Sequence, residues 1–283
     1  MILYKTLETT SLEVLHQTFI EAFSDYQIKM NLPFYKFQQM LMRREYDASL
    51  SIGAFKDDEL VGFTLTGLRN WNNQITAYNI STAVVPAYRK KGITSTIFTT
   101  IKEMLEKKGV KQYLLEVLDT NEPAINLYQK QGFSIQREFI CLQMERKDCK
   151  VNTILDVEIV NVIDFKLLEK SFDFQPSWQN SIDSINAVAD SFIYFIIRDN
   201  DAILGYGVLD PDIGDIPQLF VFHEDGENEI VSSIIAKMFT MTKVDIIKTI
   251  NIDKQSETYI NKLYALGFKK YVGQYEMVLT LGE

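Results

Sequence analysis

Residues 78–133 read YNISTAVVPAYRKKGITSTIFTTIKEMLEKKGVKQYLLEVLDTNEPAINLYQKQGF, and the order of signals in this stretch decides the fold. Ile80, Ala83, Val84 and Val85 form an apolar strand, ended by Pro86, which has no N–H for a sheet ladder. A basic turn, Arg89-Lys90-Lys91-Gly92-Ile93-Thr94-Ser95, comes next. Ile97, Phe98, Ile101, Met104 and Leu105 then recur at helical spacing, with Lys102, Glu103 and Lys107 on the other side. Gly109 stands where a left-handed helix cap belongs. The basic turn thus sits between a strand end and a helix start, where first-turn N–H groups and the helix dipole favour an anion. Gly92 lets a phosphate approach the backbone with no Cβ in its way. Taken alone, the same turn also reads as a solvated surface loop.

A second cluster follows. Tyr113 to Val117 reads as a short buried strand with Glu116 among apolar neighbours. Asn121-Glu122-Pro123 then opens a helix, since Pro suits its first position, and Gly132 ends it before Phe133 starts another strand.

Together, R-x-x-G-x-T and N-x-x-A-x-x-x-Y-x-x-x-G-F resemble the acyl-CoA-binding core of the GNAT superfamily of N-acetyltransferases. The resemblance implies that the backbone of Thr82, Ala83 and Val84 bonds the pantetheine arm of acetyl-CoA. It implies a turn of Arg89, Lys90, Lys91, Gly92, Ile93, Thr94 and Ser95 around the pyrophosphate, with Asn121 and Ala124 at the CoA arm. It makes Tyr128 the proton donor to the departing thiolate. Thr94 departs from the pattern, which has a small residue there; its methyl would crowd the pyrophosphate while its hydroxyl could donate to it.

The chain around this core has 283 residues, 46% hydrophobic and 24% charged. That length suggests two domains of about 140 residues each. The net charge of -9 argues against a nucleic-acid partner and suits a cationic amine. The start MILYKTLETT lacks the pattern of a signal peptide, and no apolar run reaches the roughly eighteen residues of a membrane helix. Cys141 and Cys149 make no disulfide framework, and with only His16 and His223 no metal site is expected. The expectation is a cytoplasmic protein, monomer or homodimer.

Read in order, the first half is a strand at Ile2–Tyr4, helices at Leu12–Phe23 and Phe34–Arg44, and strands at Ser49–Phe55 and Leu60–Leu68 around a hairpin turn. The opening stretch completes it. This is the order that the GNAT resemblance implies: an α/β (α+β) fold in which helices flank a mixed, mostly antiparallel sheet. Acceptor recognition is then expected at the break between the first helices, with Asp25, Tyr26 and Met30, and at Trp71. Each also reads plainly as a helix end or a loop anchor.

Residues 149–153, CKVNT, read as a linker, which puts a catalytic domain at 1–150 and a second GNAT-like domain at 151–283. The second half repeats the first: strands at Val157–Val160, Phe192–Ile197, Ala202–Leu209, Ile216–Phe222 and Ile246–Ile250. Helical material runs through Leu168, over Ser181–Val188, Glu229–Phe239 and Glu257–Leu266. Aligning Gly132-Phe133 with Gly267-Phe268 puts Arg89 on Glu224, Gly92 on Glu227, Asn121 on Ser256 and Tyr128 on Leu263. Four carboxylates between His223 and Glu229 occupy the place of the basic turn and would repel a pyrophosphate. The second half is therefore expected to be a worn copy that has lost acetyl-CoA binding.

The chemistry required is modest. An ammonium must lose a proton before the amine attacks the thioester, and the oxyanion must be stabilised. A phenol near pKa ~10 roughly matches a leaving thiol, which suits Tyr128. Glu116 is the best carboxylate for the base; Asn79 and Ser81 could instead position a water. The resulting expectation is an N-acetyltransferase acting on a small-molecule amine. Its rivals are a non-catalytic acyl-CoA-binding protein and a protein or peptide N-acetyltransferase.

Overall fold

The computed structural model describes residues 1–26, 30–149, 155–164, 175–222 and 227–282. Contacts divide the chain into two compact units. The first comprises Met1–Val117, Asn121–Gln136 and Glu276–Glu283; the second comprises Leu118–Thr120 and Arg137–Tyr275. The division drawn at residue 150 from the linker composition does not coincide with this contact boundary. Residues 137–149 belong to the second unit, and the last residues of the chain belong to the first.

In the first unit, β1 (Ile2–Thr6) leads to α1 (Leu12–Ala22), capped by Ser11, whose hydroxyl accepts from Val14 N–H. Helix α2 (Phe34–Arg43), β2 (Ile52–Lys56), β3 (Glu59–Trp71) and β4 (Gln74–Val84) follow. Then come α3 (Ile93–Lys107), β5 (Gln112–Leu118) and α4 (Glu122–Lys130). The sheet runs β1-β2-β3-β4-β5, antiparallel except for the parallel pair β4 and β5. Leu15, Phe19, Phe37, Phe63, Ile97 and Ile101 are fully buried and form its core. Each such side chain contributes about 1.5–3 kcal/mol of burial.

In the second unit, β6 (Ser134–Glu145, from Arg137 on) pairs with β11 (Ile246–Asp253). Beyond β11 the order is β10 (Asp215–Val221), β9 (Ala202–Asp210), β8 (Ile193–Asp199) and β7 (Glu158–Val160). Its helices are α5 (Ile182–Asn186), α6 (Glu227–Met241) and α7 (Glu257–Ala265). Ile230, Ile234, Ile235 and Met238 of α6 pack on Phe195, Leu209 and Ile247. The helical material expected through Leu168 and the Glu224 position lie outside the described residues.

The final strand, β12 (Lys269–Thr280), runs past the unit boundary, and its end from Glu276 belongs to the first unit. There Leu281 N–H donates to Lys111 O at 2.9 Å, beside β5.

Candidate active site

The site starts where β4 and β5 part. They pair from Thr76↔Gln112 to Asn79↔Leu115 and no further, although β4 continues to Val84 and β5 to Leu118. On its other edge β4 carries a bulge: Leu65 faces Ser81 but Thr66 faces Asn79, leaving Ile80 as the extra residue. A bulge adds local twist and re-aims the strand. Beyond Asn79, then, one edge of β4 lies open beside residues 80–84, the segment the resemblance assigns to the pantetheine arm.

After β4, a single turn at Pro86–Tyr88 leads to Gly92, which caps α3 in the left-handed region at φ 75°. Nothing lies within 4 Å of the place a Cβ would take. No side chain caps α3, so the first-turn N–H groups of Ile93, Thr94 and Ser95 point outward as an anion cradle. Lys90 also has positive φ, 62°, a strained conformation for a side-chain-bearing residue.

The three basic side chains of this turn differ in use. Arg89 donates from Nη1 and Nη2 to the two oxygens of Asp25, from Nη2 to Ala22 O at 2.8 Å, and from Nε to Val84 O at 3.0 Å. It thereby ties the end of α1 to the end of β4, and its guanidinium is turned to that task. Hydrogen bonding to Arg89 holds the Asp25 carboxyl below its usual range. Lys91 Nζ donates to Ala87 O at 3.1 Å and lies over the Tyr88 ring. Lys90 is exposed.

Helix α4 brings in Asn121 and Tyr128. Asn121 is the N-cap; its Oδ1 accepts from Ala124 N–H at 3.3 Å, and its Nδ2 donates to the Tyr26 hydroxyl at 3.3 Å. Tyr128 is buried edge-on against Phe98 of α3. Burial, foremost, pushes its phenol well above the ordinary tyrosine range. It stays protonated at neutral pH.

Glu116 lies on the opposite face. Tyr113 packs on Phe98 and Phe133, so alternation along β5 turns Glu116 away from α3 and α4. The Tyr78 hydroxyl donates to Glu116 Oε2 at 3.0 Å. Burial, then the Glu116 charge, raises the Tyr78 phenol. Arg44 and Glu276 act electrostatically on the same hydroxyl. A proton donor and a carboxylate therefore flank the opening from its two sides.

Sequence reasoning missed Tyr78 as the partner of Glu116, and Arg44 and Glu276 as charges acting on the Tyr78 hydroxyl. The period of two along β5 gave the face of Glu116, but the partners come from strand register and from a strand more than a hundred residues away. Of the acceptor candidates, Asp25 is paired with Arg89 and Tyr26 with Asn121, while Trp71 is buried at the end of β3. Met30 is half-buried.

The second unit has a parallel pair, β10 and β11, in register at Asp215↔Lys248. Counted from the two Gly-Phe pairs, Tyr259 falls on Ala124 and Leu219 on Val84. The Tyr259 hydroxyl donates to Leu219 O at 2.9 Å and its ring stacks on Phe220. Glu227 starts α6 and is paired with Lys262.

Known proteins resemble this chain in sequence and in fold. Residues 12–133 match the model of the acetyltransferase (GNAT) family. An N-alpha-acetyltransferase of Sulfurisphaera tokodaii is 36% identical over 112 residues, covering 36% of this chain and 65% of that protein. Streptothricin acetyltransferase of Streptomyces lavendulae is 32% identical over 85 residues, covering 30% of this chain and 43% of that protein. The chain spans less than two thirds of either relative. A solved tandem GNAT protein from the clavulanic acid biosynthesis pathway shares the fold, with a TM-score of 0.75 at 13% identity, over 100% of this chain and 99% of its own. The match to the acetyltransferase (GNAT) family model thus lies on residues 12–133, and the relatives similar to that stretch are named acetyltransferases.

Proposed function

We propose that the chain is an acetyl-CoA-dependent N-acetyltransferase that acetylates the primary amine of a small molecule. The observation that carries this reading is the opening between β4 and β5, flanked by the Tyr128 hydroxyl on one face and Glu116 on the other. Acetyl-CoA is the co-substrate: its pantetheine arm lies along Thr82, Ala83 and Val84, and its pyrophosphate on the amides from Lys90 to Ser95. Asn121 and Ala124 border the arm. Glu116 takes a proton from the ammonium, the amine attacks the thioester carbon, and the tetrahedral intermediate collapses to amide and thiolate. Tyr128 gives its proton to the thiolate sulfur.

In the same reading the second unit binds no acetyl-CoA. Tyr259 fills the space of the arm, and Glu227 and Glu229 stand at the start of α6, where an anion cradle would have to be. The protein acts in the cytoplasm as a monomer or homodimer, without metal, nucleic acid or membrane. Among the described residues no helix is long and apolar enough to cross a membrane.

A second acceptor class is favoured by the archaeal relative, named an N-alpha-acetyltransferase: a protein or peptide N-terminus. Calorimetry with acetyl-CoA, paired with thiol release over a panel of small amines and of peptides with unblocked N-termini, separates these readings. One binding site and release with a small amine is the expected result. Release with peptides alone would move the acceptor to the second class. Binding without release on any acceptor would mean a non-catalytic acyl-CoA-binding protein.

A further inference from the structure

Strand register fixes which peptide groups of β4 face its open edge. Val85 N–H donates to Val61 O at 3.0 Å, toward β3, and the same register holds back to Ser81. Alternation therefore turns the N–H groups of Ser81 and Ala83 to β3 as well. In a trans peptide the carbonyl points opposite to the N–H that follows it. No peptide here is cis, so the carbonyls of Ile80, Thr82 and Val84 face the open edge. The N–H groups of Thr82 and Val84 face the same way.

Two of these carbonyls are already taken, each by an arginine. At one end Arg89 Nε donates to Val84 O at 3.0 Å, and at the other Arg44 Nη1 donates to Ile80 O at 3.4 Å. Arg44 follows α2, and both its chain neighbours are fastened to the sheet: Arg69 of β3 donates to Arg43 O and to the Glu45 carboxylate. A Cβ at Gly67 of β3 would collide with the Arg44 carbonyl, so the glycine permits this close approach. Between the arginines, the Thr82 carbonyl accepts no bond among the described residues. The edge thus offers a donor, an acceptor and a donor: Thr82 N–H, Thr82 O and Val84 N–H.

We propose that Arg44 and Arg89 are positioning residues that bracket the open edge of β4, leaving the Thr82 carbonyl as the single acceptor for the amide N–H groups of the acetyl-CoA arm. The proposal rests on the reading above that the arm lies along Thr82, Ala83 and Val84. The arm carries two amides in series. An unguarded edge, with carbonyls at every second residue, would accept it in more than one register. A slip of one register displaces the arm by about 7 Å, enough to carry the thioester away from the place between Tyr128 and Glu116. A guanidinium on each outer carbonyl leaves one register. Arg89 does this with Nε while its Nη groups stay on Asp25 and Ala22 O, so the clasp on α1 also closes this end of the edge.

The test uses two analogues of CoA, each with one of the arm's amide N–H groups replaced by an ester oxygen, and calorimetry on the full chain. In the wild type, one analogue should bind about tenfold more weakly than CoA, having lost its bond to Thr82 O, and the other within about twofold of CoA. In one of the variants Arg44→Met and Arg89→Met, the second amide gains a carbonyl, and the analogue lacking that N–H should then also bind more weakly than CoA. A merely structural role for the arginines would lower affinity for CoA and both analogues alike. Equal losses for the two analogues in the wild type overturn the proposal, because two carbonyls would then be receiving the arm. An unchanged pattern in both folded methionine variants overturns it too. The wild-type comparison needs no substitution and decides even where a variant fails to fold. If neither analogue binds the wild type more weakly than CoA, the arm does not lie on this edge, and the reading of the cofactor site fails with the proposal.

Discussion

The Arg89 guanidinium donates to both carboxylate oxygens of Asp25 at 2.7 Å, joining residues 64 apart in sequence. A residue that the motif assigns to the cofactor turn thus also closes the C-terminal end of α1, where carbonyls would otherwise lack partners. The cofactor turn and the segment leading from α1 toward α2 are thereby one assembly.

Asp25→Ala should therefore weaken acetyl-CoA binding roughly two- to fivefold by loosening the turn, an exposed pair being worth little by itself. The lowered Asp25 value means its contribution is complete above the ordinary carboxylate range and is lost as pH falls through the folded value, below about pH 4. Calorimetry at neutral pH on both proteins checks the first statement. A wild-type minus variant difference in thermal stability, followed down to pH 3, checks the second. Equal affinities would remove the structural link between clasp and turn.

Gly92 separates backbone strain from charge. At φ 75° a side chain costs about 1 kcal/mol, and no atom lies near enough to clash. Gly92→Ala should lose about fivefold in acetyl-CoA affinity, whereas Gly92→Glu should lose more than about a hundredfold by placing a carboxylate against the pyrophosphate. Both variants should keep a wild-type circular dichroism spectrum. Similar affinities for the two would mean that the pyrophosphate lies elsewhere.

Tyr128→Phe should lower kcat by about a hundredfold or more, with acetyl-CoA binding little changed. It also bears on alkaline stability. The raised phenol holds its proton more tightly folded than unfolded, so its contribution is full below the unfolded value and lost as pH rises through the folded one. Above about pH 10 the wild type should therefore lose stability faster than the Phe variant. Urea midpoints between pH 8 and 11 would show parallel curves if Tyr128 were not buried as described.

On the other face, Glu116→Gln should cut kcat/KM for the amine by ten- to a hundredfold while acetyl-CoA still binds. Tyr78→Phe, which removes the hydroxyl donated to Glu116, should have a smaller effect in the same direction. Steady-state kinetics at fixed acetyl-CoA reads both. Full activity of Glu116→Gln would shift the base to a water held by other groups.

Tyr259→Ala tests the second unit. Removing the ring should cost about 3 kcal/mol of stability, since it stacks on Phe220 and its hydroxyl is bonded to Leu219 O. Binding stoichiometry should remain one acetyl-CoA per chain, because acidic side chains still stand at the start of α6. A second site in the wild type would refute the account of one active and one closed copy.

Much of the fold was legible because its signals are local. The apolar periodicity of α1 and α3, the positive-φ glycines at 92, 109 and 132, and the Asn121 cap each act within a few residues. The candidate site was legible in part for the same reason: the anion cradle and Tyr128 lie in one continuous stretch. The assignment of Arg89 to the cofactor was less complete, since its partners Asp25 and Ala22 come from a helix that no spacing ties to the turn. The fate of Asp25 and Tyr26 was hidden likewise. A side chain's partner across the fold leaves no periodic trace.

Sequence alone pointed to the class of domain, the basic turn at Gly92 and the candidate acid, because helix starts, glycine turns and alternating strands are set by short-range sterics and hydrogen bonding. Tertiary structure alone decided where β4 and β5 part, that Ile80 is a bulge, and that Thr82 bonds Asn79 across it. It also decided that the end of the last strand, with Glu276, belongs to the first unit and faces Tyr78. Strand register and pairing are chosen by the packing of whole faces over long separations, and that is a property of the assembled chain.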